Sequence, residues 1–247
     1  MATAWTVNSK GEVWTLHPQG GGQLMAPAES ALQVALGFDG IPWIVSTKRG
    51  SGAGNLVQYY YGNSGWQTLP PTICAVQVAG STNNFCWLVD ENNAVWAVDI
   101  HGTADRMSPD GFALQVGVGN FGPPWAIGTQ SYETGGGNEI LFYNQANGQW
   151  TPVPAPAAGV QIAGQYDNSA WVVTSENSIC NVQMNGVSQL MSPAGTALQV
   201  GIGPDKMPWM ISTQSTSPGG NQVMYWANGA WTAVAAPAAA VWVAGSM

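Results

Sequence analysis

The repeat in this chain limits its fold more than any other feature. Ala113-Leu114-Gln115-Val116-Gly117-Val118-Gly119, followed by Pro124-Trp125-Ala126-Ile127, returns as Ala31-Leu32-Gln33-Val34 with Pro42-Trp43 and as Ala197-Leu198-Gln199-Val200 with Pro208-Trp209. The three tryptophans are 82 and 84 residues apart. A weaker version lies midway each time, at Ala75-Val76-Gln77-Val78-Ala79-Gly80 before Trp87 and at Gly159-Val160-Gln161-Ile162-Ala163-Gly164 before Trp171. A sixth copy, Ala240-Val241-Trp242-Val243-Ala244-Gly245, stands at the end, and its continuation is at the beginning: with Met247 joined to Met1, Trp5 falls opposite Trp87 and Trp171. Six units of about 41 residues that share a split copy imply a closed ring and a single domain.

Within each unit, short runs rich in Val, Ile, Tyr and Trp are bounded by Gly, Asn or Pro, the pattern of short antiparallel strands. Trp43-Ile44-Val45 and Leu56-Val57-Gln58-Tyr59-Tyr60 are examples. Four strands per unit make a propeller blade. The reading is an all-β, six-bladed β-propeller of four-stranded antiparallel blades, with boundaries near 240–247 plus 1–30, 31–73, 74–111, 112–157, 158–195 and 196–239. Odd blades have a short turn between their second and third strands, as at Asp90-Glu91-Asn92-Asn93. Even blades have a longer Gly-rich loop there, at 48–55, 131–138 and 215–221, each ending in Gly-Asn. The chain thus reads as three tandem two-blade units. The strand at Val241 to Ala244 is expected to complete the N-terminal blade and remove the open sheet edges.

Composition narrows the partners. Charged residues make up 7% of the chain and the net charge is -8, with Lys10, Lys48, Arg49, Arg106 and Lys206 the only basic side chains besides two histidines. Nucleic acid and anionic membrane surfaces need clustered Lys and Arg, so neither is expected. No run of 18 apolar residues suggests membrane insertion. The first residues lack the basic and apolar regions of a signal peptide, so a cytoplasmic protein is expected, with release by a non-signal route left open. Cys74, Cys86 and Cys180 fit no zinc spacing and read as small buried hydrophobes. His17 and His101 are too few for a metal centre, and no cofactor is expected.

Catalysis finds little support, because no acid occupies one repeat position in all three double units. Two acids converging in the central channel would be needed for a propeller glycosidase. The aromatic residues are more distinctive. Trp5, Trp43, Trp87, Trp125, Trp171 and Trp209 hold one equivalent place in every blade and read as wedge filling between blades. The glutamines Gln33, Gln77, Gln115, Gln161 and Gln199 read as lining the channel. A second aromatic set is confined to even blades: Trp66, Trp150 and Trp231 follow Asn63, Asn147 and Asn228, and Tyr60, Tyr143 and Trp226 precede them. Together with the loop asparagines Asn55, Asn138 and Asn221, these are the candidate ligand-binding residues. Aromatic faces beside amides suit neutral sugars, and packing with tight Asn-Gly turns is the other reading.

Val76-Gln77-Val78-Ala79-Gly80 with Trp87-Leu88-Val89, then Ala94-Val95-Trp96-Ala97-Val98-Asp99, and Gly65-Trp66-Gln67-Thr68-Leu69-Pro70, resemble the motif of the tectonin-type β-propeller lectins. The resemblance runs the length of the chain. It implies a six-bladed ring, sugar sites repeated at blade junctions, no catalytic activity, no metal and a defensive cytoplasmic lectin. The partners it implies are glycans on glycoproteins, glycolipids or microbial surfaces, with assembly into a homo-oligomer left open. The chain departs from the family pattern in its odd and even alternation and in Cys180 standing where Trp14 and Trp96 stand, which favours three sites over six. The competing reading is a non-catalytic protein-protein interaction scaffold, with an enzyme third.

Overall fold

A computed structural model of the chain describes residues 3–119, 122–132, 136–154, 158–216, 219–235 and 239–246. It is built of strands, with one turn of 3-10 helix at Gly62–Ser64. Among the described residues no helix is long and apolar enough to cross a membrane. Six antiparallel sheets follow one another along the chain, each with its first strand innermost. Blade 1 joins Trp242–Ser246 to Ala4–Val7, Val13–Leu16 and Gly22–Ala26. Blade 2 holds Ala31–Leu36, Pro42–Arg49, Asn55–Tyr60 and Trp66–Thr68. Blade 3 holds Gln77–Gly80, Phe85–Val89, Val95–Asp99 and Ala104–Arg106. Blade 4 starts at Ala113–Val118, blade 5 at Gln161–Gly164 and blade 6 at Ala197–Ile202.

The expected closure is present. Val7 pairs with Trp242, Thr6 with Val243, Trp5 with Ala244 and Ala4 with Ser246. The two ends of the chain therefore share one sheet, and the edge that strand Ala4–Val7 would otherwise expose is covered.

Even blades contain one strand more than the repeat suggests. Their outermost strand is short, so in blade 2 it leaves the start of the third strand uncovered. Cys74–Ala75 crosses back and takes that edge, pairing Asn55 with Ala75 and Leu56 with Cys74. Ala158–Gly159 and Ala239–Ala240 do the same in blades 4 and 6. Cys74–Ala75, Ala158–Gly159 and Ala240 thus pair with the preceding even blade, past the boundaries expected from sequence, while Ala239 falls on the expected side. Positions 133–135 and 217–218 of the Gly-rich loops lie outside the described residues.

Blades pack through two alternating kinds of junction. At 2/3, 4/5 and 6/1 the innermost strands touch backbone to backbone. A Cβ added to Gly80 would collide with Leu36 and Gly37, one on Gly164 with Val118 and Gly119, and one on Gly245 with Ile202 and Gly203. The Ala-Gly step of odd blades is thus a requirement of close approach. Trp43, Trp125 and Trp209 fill the space behind, each fully buried among side chains of the following odd blade. At 1/2, 3/4 and 5/6 the filling tryptophan comes from the odd blade. Trp5 and Trp171 are buried there and Trp87 is half-buried, each beside aromatic residues of the next blade. Wedge filling by the six repeated tryptophans is therefore observed, with buried indole N–H groups of Trp5, Trp43 and Trp125 lacking a hydrogen-bond partner.

Candidate functional site: grooves at the blade junctions

At the axis the repeated glutamines do more than line a channel. The Gln33 amide donates to the Val78 carbonyl at 2.8 Å, and its oxygen accepts from the Val78 N–H at 3.1 Å. Gln77 clasps Val116, Gln161 clasps Val200 and Gln199 clasps Val243 in the same two-bonded way. Gln115 accepts from the Ile162 N–H at 3.2 Å and is only half-buried. Each side chain imitates a neighbouring strand, satisfying backbone groups that would otherwise be buried and unpaired. The cavity left between them is about 50 Å³. That volume holds one or two waters, since each takes about 30 Å³ in the liquid.

The candidate residues of the even blades divide between the two ends of their strands. Trp66 donates its indole N–H to the Met25 carbonyl at 2.9 Å, Trp150 to Met107 at 3.0 Å and Trp231 to Met191 at 3.1 Å. Each ring stands edge-on to the odd-blade tryptophan: Trp66 on Trp5, Trp150 on Trp87 and Trp231 on Trp171, with centroids 6.0–6.2 Å apart. Tyr60, Tyr143 and Trp226 complete each trio at 5.3–5.4 Å from the same rings. All six even-blade rings are half-buried.

The asparagines do not join them. Asn63 lies in the exposed 3-10 turn, the Asn147 side chain accepts from the Gln149 N–H, and Asn228 adopts a left-handed turn conformation with φ 53°. Asn55 and Asn138 donate to the carbonyls of Ser46 and Gly128, and Asn221 accepts from the Ser215 hydroxyl. Asn55 and Tyr60 occupy opposite ends of one strand, roughly 17 Å apart at the usual rise per residue. The structure brings the rings together in three trios and leaves the amides in turns and loops.

Open space lies instead at the other junctions. A groove of about 540 Å³ separates blade 2 from blade 3, and one of about 430 Å³ separates blade 6 from blade 1. They are built alike. Trp96 walls the first and Trp14 the second, from equivalent places on the third strand. The first runs from Asp90 and Asn92 at one end of that strand to Gly102 and Ala104 at the other, and the second from Asn8 and Lys10 to Gly21 and Gly22. Each indole is fixed by a carboxylate: Trp96 donates to Asp90 at 3.0 Å and Trp14 to Glu12 at 3.1 Å. The Asn8 amide and then the Trp14 indole hold the Glu12 carboxyl below its ordinary range, so it is ionised at neutral pH.

The carboxylate comes from a different position in each blade, since Ala94 stands opposite Glu12 and Asn8 opposite Asp90. In blade 5, where Cys180 replaces the tryptophan, Thr174 and Ser178 occupy both positions and bond to each other. Acid and tryptophan are present together or absent together. The exchange of Trp14 and Trp96 for Cys180 is the signal of this site in the sequence. It could not show that the two rings face clefts.

Among the described residues no group of three His, Cys, Asp or Glu side chains could hold a metal ion. Cys74, Cys86 and Cys180 are free, and burial pushes the Cys86 thiol far above its usual range.

No family model matches the chain, and no curated protein matches it. Among solved structures, a YCF48 bound to D1 peptide aligns with a TM-score of 0.54 at 13% identity, over 94% of this chain and 78% of that one. YCF48 from Cyanidioschyzon merolae aligns with a TM-score of 0.51 at 13% identity, over 94% of this chain and 84% of that one. At this identity the likeness concerns the fold. This chain is a six-bladed β-propeller. The tectonin resemblance holds at that level, and its lectin content is not shown. The expectation of glycan partners is corrected: one solved structure of this fold, the YCF48, is bound to a peptide. The physical ground lies in the rings and amides chosen for sugars, which are spent on blade packing, turns and loop anchoring.

Proposed function

We propose that this chain is a non-catalytic protein-interaction propeller that takes an extended segment of a partner into its junction grooves. The observation that carries the reading is groove shape: each one follows a third strand from end to end, with a tryptophan wall near its middle. A cleft that follows a strand of four or five residues, roughly 13 to 17 Å at the usual rise, matches a short stretch of extended peptide better than a compact small molecule. The anchored indole supplies a rigid apolar surface of the kind enriched at binding hot spots. The paired gain and loss of acid and tryptophan between repeats supports a common purpose for the two grooves. The YCF48 bound to D1 peptide gives a precedent on this fold. Catalysis is disfavoured because the axial cavity is about 50 Å³ and no titratable side chain lines it.

Selection of a displayed random-peptide library on the purified chain tests the reading. Enrichment of a short consensus is expected, with capture reduced at least tenfold by Trp14→Ala combined with Trp96→Ala. Cys180→Ala should leave capture unchanged. Failure to enrich any peptide, or full capture by the double variant at unchanged melting temperature, would overturn it.

A further inference from the structure

We propose a second docking surface: a collar of six aliphatic side chains around one mouth of the axis, shaped for an apolar peptide segment with basic flanks. Leu32, Val76, Leu114, Val160, Leu198 and Val241 are 43–54% exposed, one from each blade. Each immediately precedes a residue that lines the axis or stands in its place, namely the five glutamines and Trp242. The six therefore ring the opening on a single face.

The backbone turns them outward by two different devices. In even blades the ladder skips a residue: Ala31 pairs with Ser46 and Gln33 with Val45, leaving Leu32 on a bulge, and Leu114 and Leu198 do likewise. In odd blades Val76, Val160 and Val241 stand between the crossing strand and the innermost strand, each held by a 2.8 Å bond from its N–H to the carbonyl of Val89, Val173 or Val7. Bulges commonly re-aim a side chain, and here both devices aim an aliphatic group at solvent.

Duplication of an ancestral unit accounts for the repetition but not for its retention. Elsewhere repeat equivalents differ: Trp14 and Trp96 correspond to Cys180, Leu24 and Leu190 correspond to Arg106, and the sixth glutamine is Trp242. The collar kept Leu or Val in all six copies although solvent favours polar groups there. A contiguous apolar patch of a few hundred Å² on a protein of this size is commonly functional.

The occupant follows from size and charge. The axial cavity beneath the collar is about 50 Å³, so a polypeptide lies across the mouth and does not thread it. The collar falls short of the about 800 Å² per partner that a lasting pairing of two rings requires. A short segment is the better match. The net charge of -8, with Glu29 on the loop that leads into Leu32, favours basic residues beside the apolar ones. The inference rests on the protein-binding reading but uses a surface separate from the grooves.

The same displayed-peptide selection decides it. Peptides with an apolar centre and flanking Lys or Arg are expected among those captured. A triple variant carrying Leu32→Ser, Leu114→Ser and Leu198→Ser should capture them at least tenfold less, and Leu114→Ser alone about twofold to threefold less. Combined Trp14→Ala and Trp96→Ala should retain them. Melting temperature should barely change, because the substituted side chains are already exposed. If every captured peptide is lost with the Trp variant and none with the Leu variants, the collar is overturned while the groove reading stands. If nothing is captured, both fall. Sedimentation showing a wild-type dimer that the Leu triple variant dissolves would overturn the peptide occupant in favour of a second ring.

Discussion

At the 2/3, 4/5 and 6/1 junctions facing innermost strands meet at backbone distance, and one fully buried tryptophan from the even blade fills the space behind. At the 1/2, 3/4 and 5/6 junctions the odd-blade tryptophan is joined by two even-blade aromatics, one of which ties its N–H to the previous blade. Both arrangements answer the same geometric problem, since blades arranged around an axis diverge outward. Their outer parts differ. The aromatic trios fill that space, while the 2/3 and 6/1 junctions leave it open as a groove. Closure near the axis and openness at the rim are thus compatible, and the binding proposal lies where filling was withheld.

The contrast is most exposed to test at the glycines. Gly80→Ala and Gly245→Ala should each cost about 3 kcal/mol, because backbone must move to admit the new Cβ. Urea midpoints at constant slope measure this, and a change below about 0.5 kcal/mol would mean that the strands do not rely on close contact. Next in size, Trp150→Ala should cost about 2 kcal/mol, less than a fully buried tryptophan because the ring is half-exposed. Asn147→Ala, in the adjoining turn, should cost under about 0.5 kcal/mol. Equal losses at the two positions would dissolve the distinction between packed rings and turn amides.

The smallest effect separates the two kinds of repeated tryptophan. Trp43→Phe removes a buried N–H that has no partner, so relief of that cost offsets lost packing and the net change should stay within about 0.5 kcal/mol. Trp171→Phe loses a bond from the indole to Gln165 and should cost about 1 kcal/mol more. The opposite order would show that packing at the glycine-sealed junctions dominates.

The ring itself was legible in the chain because Trp43, Trp125 and Trp209 recur at near-equal spacing and because Trp5 has no innermost strand ahead of it. The covalent order of residues carries that information directly. The crossing strand Cys74–Ala75 was not legible, since two residues show no periodicity and their pairing depends on how far a neighbouring strand extends. The glutamines were expected to face the channel by their place on the innermost strand, whereas their length lets the amides reach sideways to the next blade. For the candidate site, pattern placed aromatics and asparagines in one hairpin but could not show that the rings turn inward while the amides remain in the turn. The grooves depend on the relative placement of two blades, and no local run of residues encodes that.

The pairing of Ala4–Val7 with Trp242–Ser246 sets a timetable for synthesis. Three strands of the first sheet are made well before the fourth and must wait, with one ladder edge bare, while the other five blades follow. Contacts of such long sequence separation form slowly. Sealing of the ring therefore follows synthesis of all six blades, and a nascent chain stalled before residue 242 is left with an unsatisfied strand available to any other extended peptide nearby.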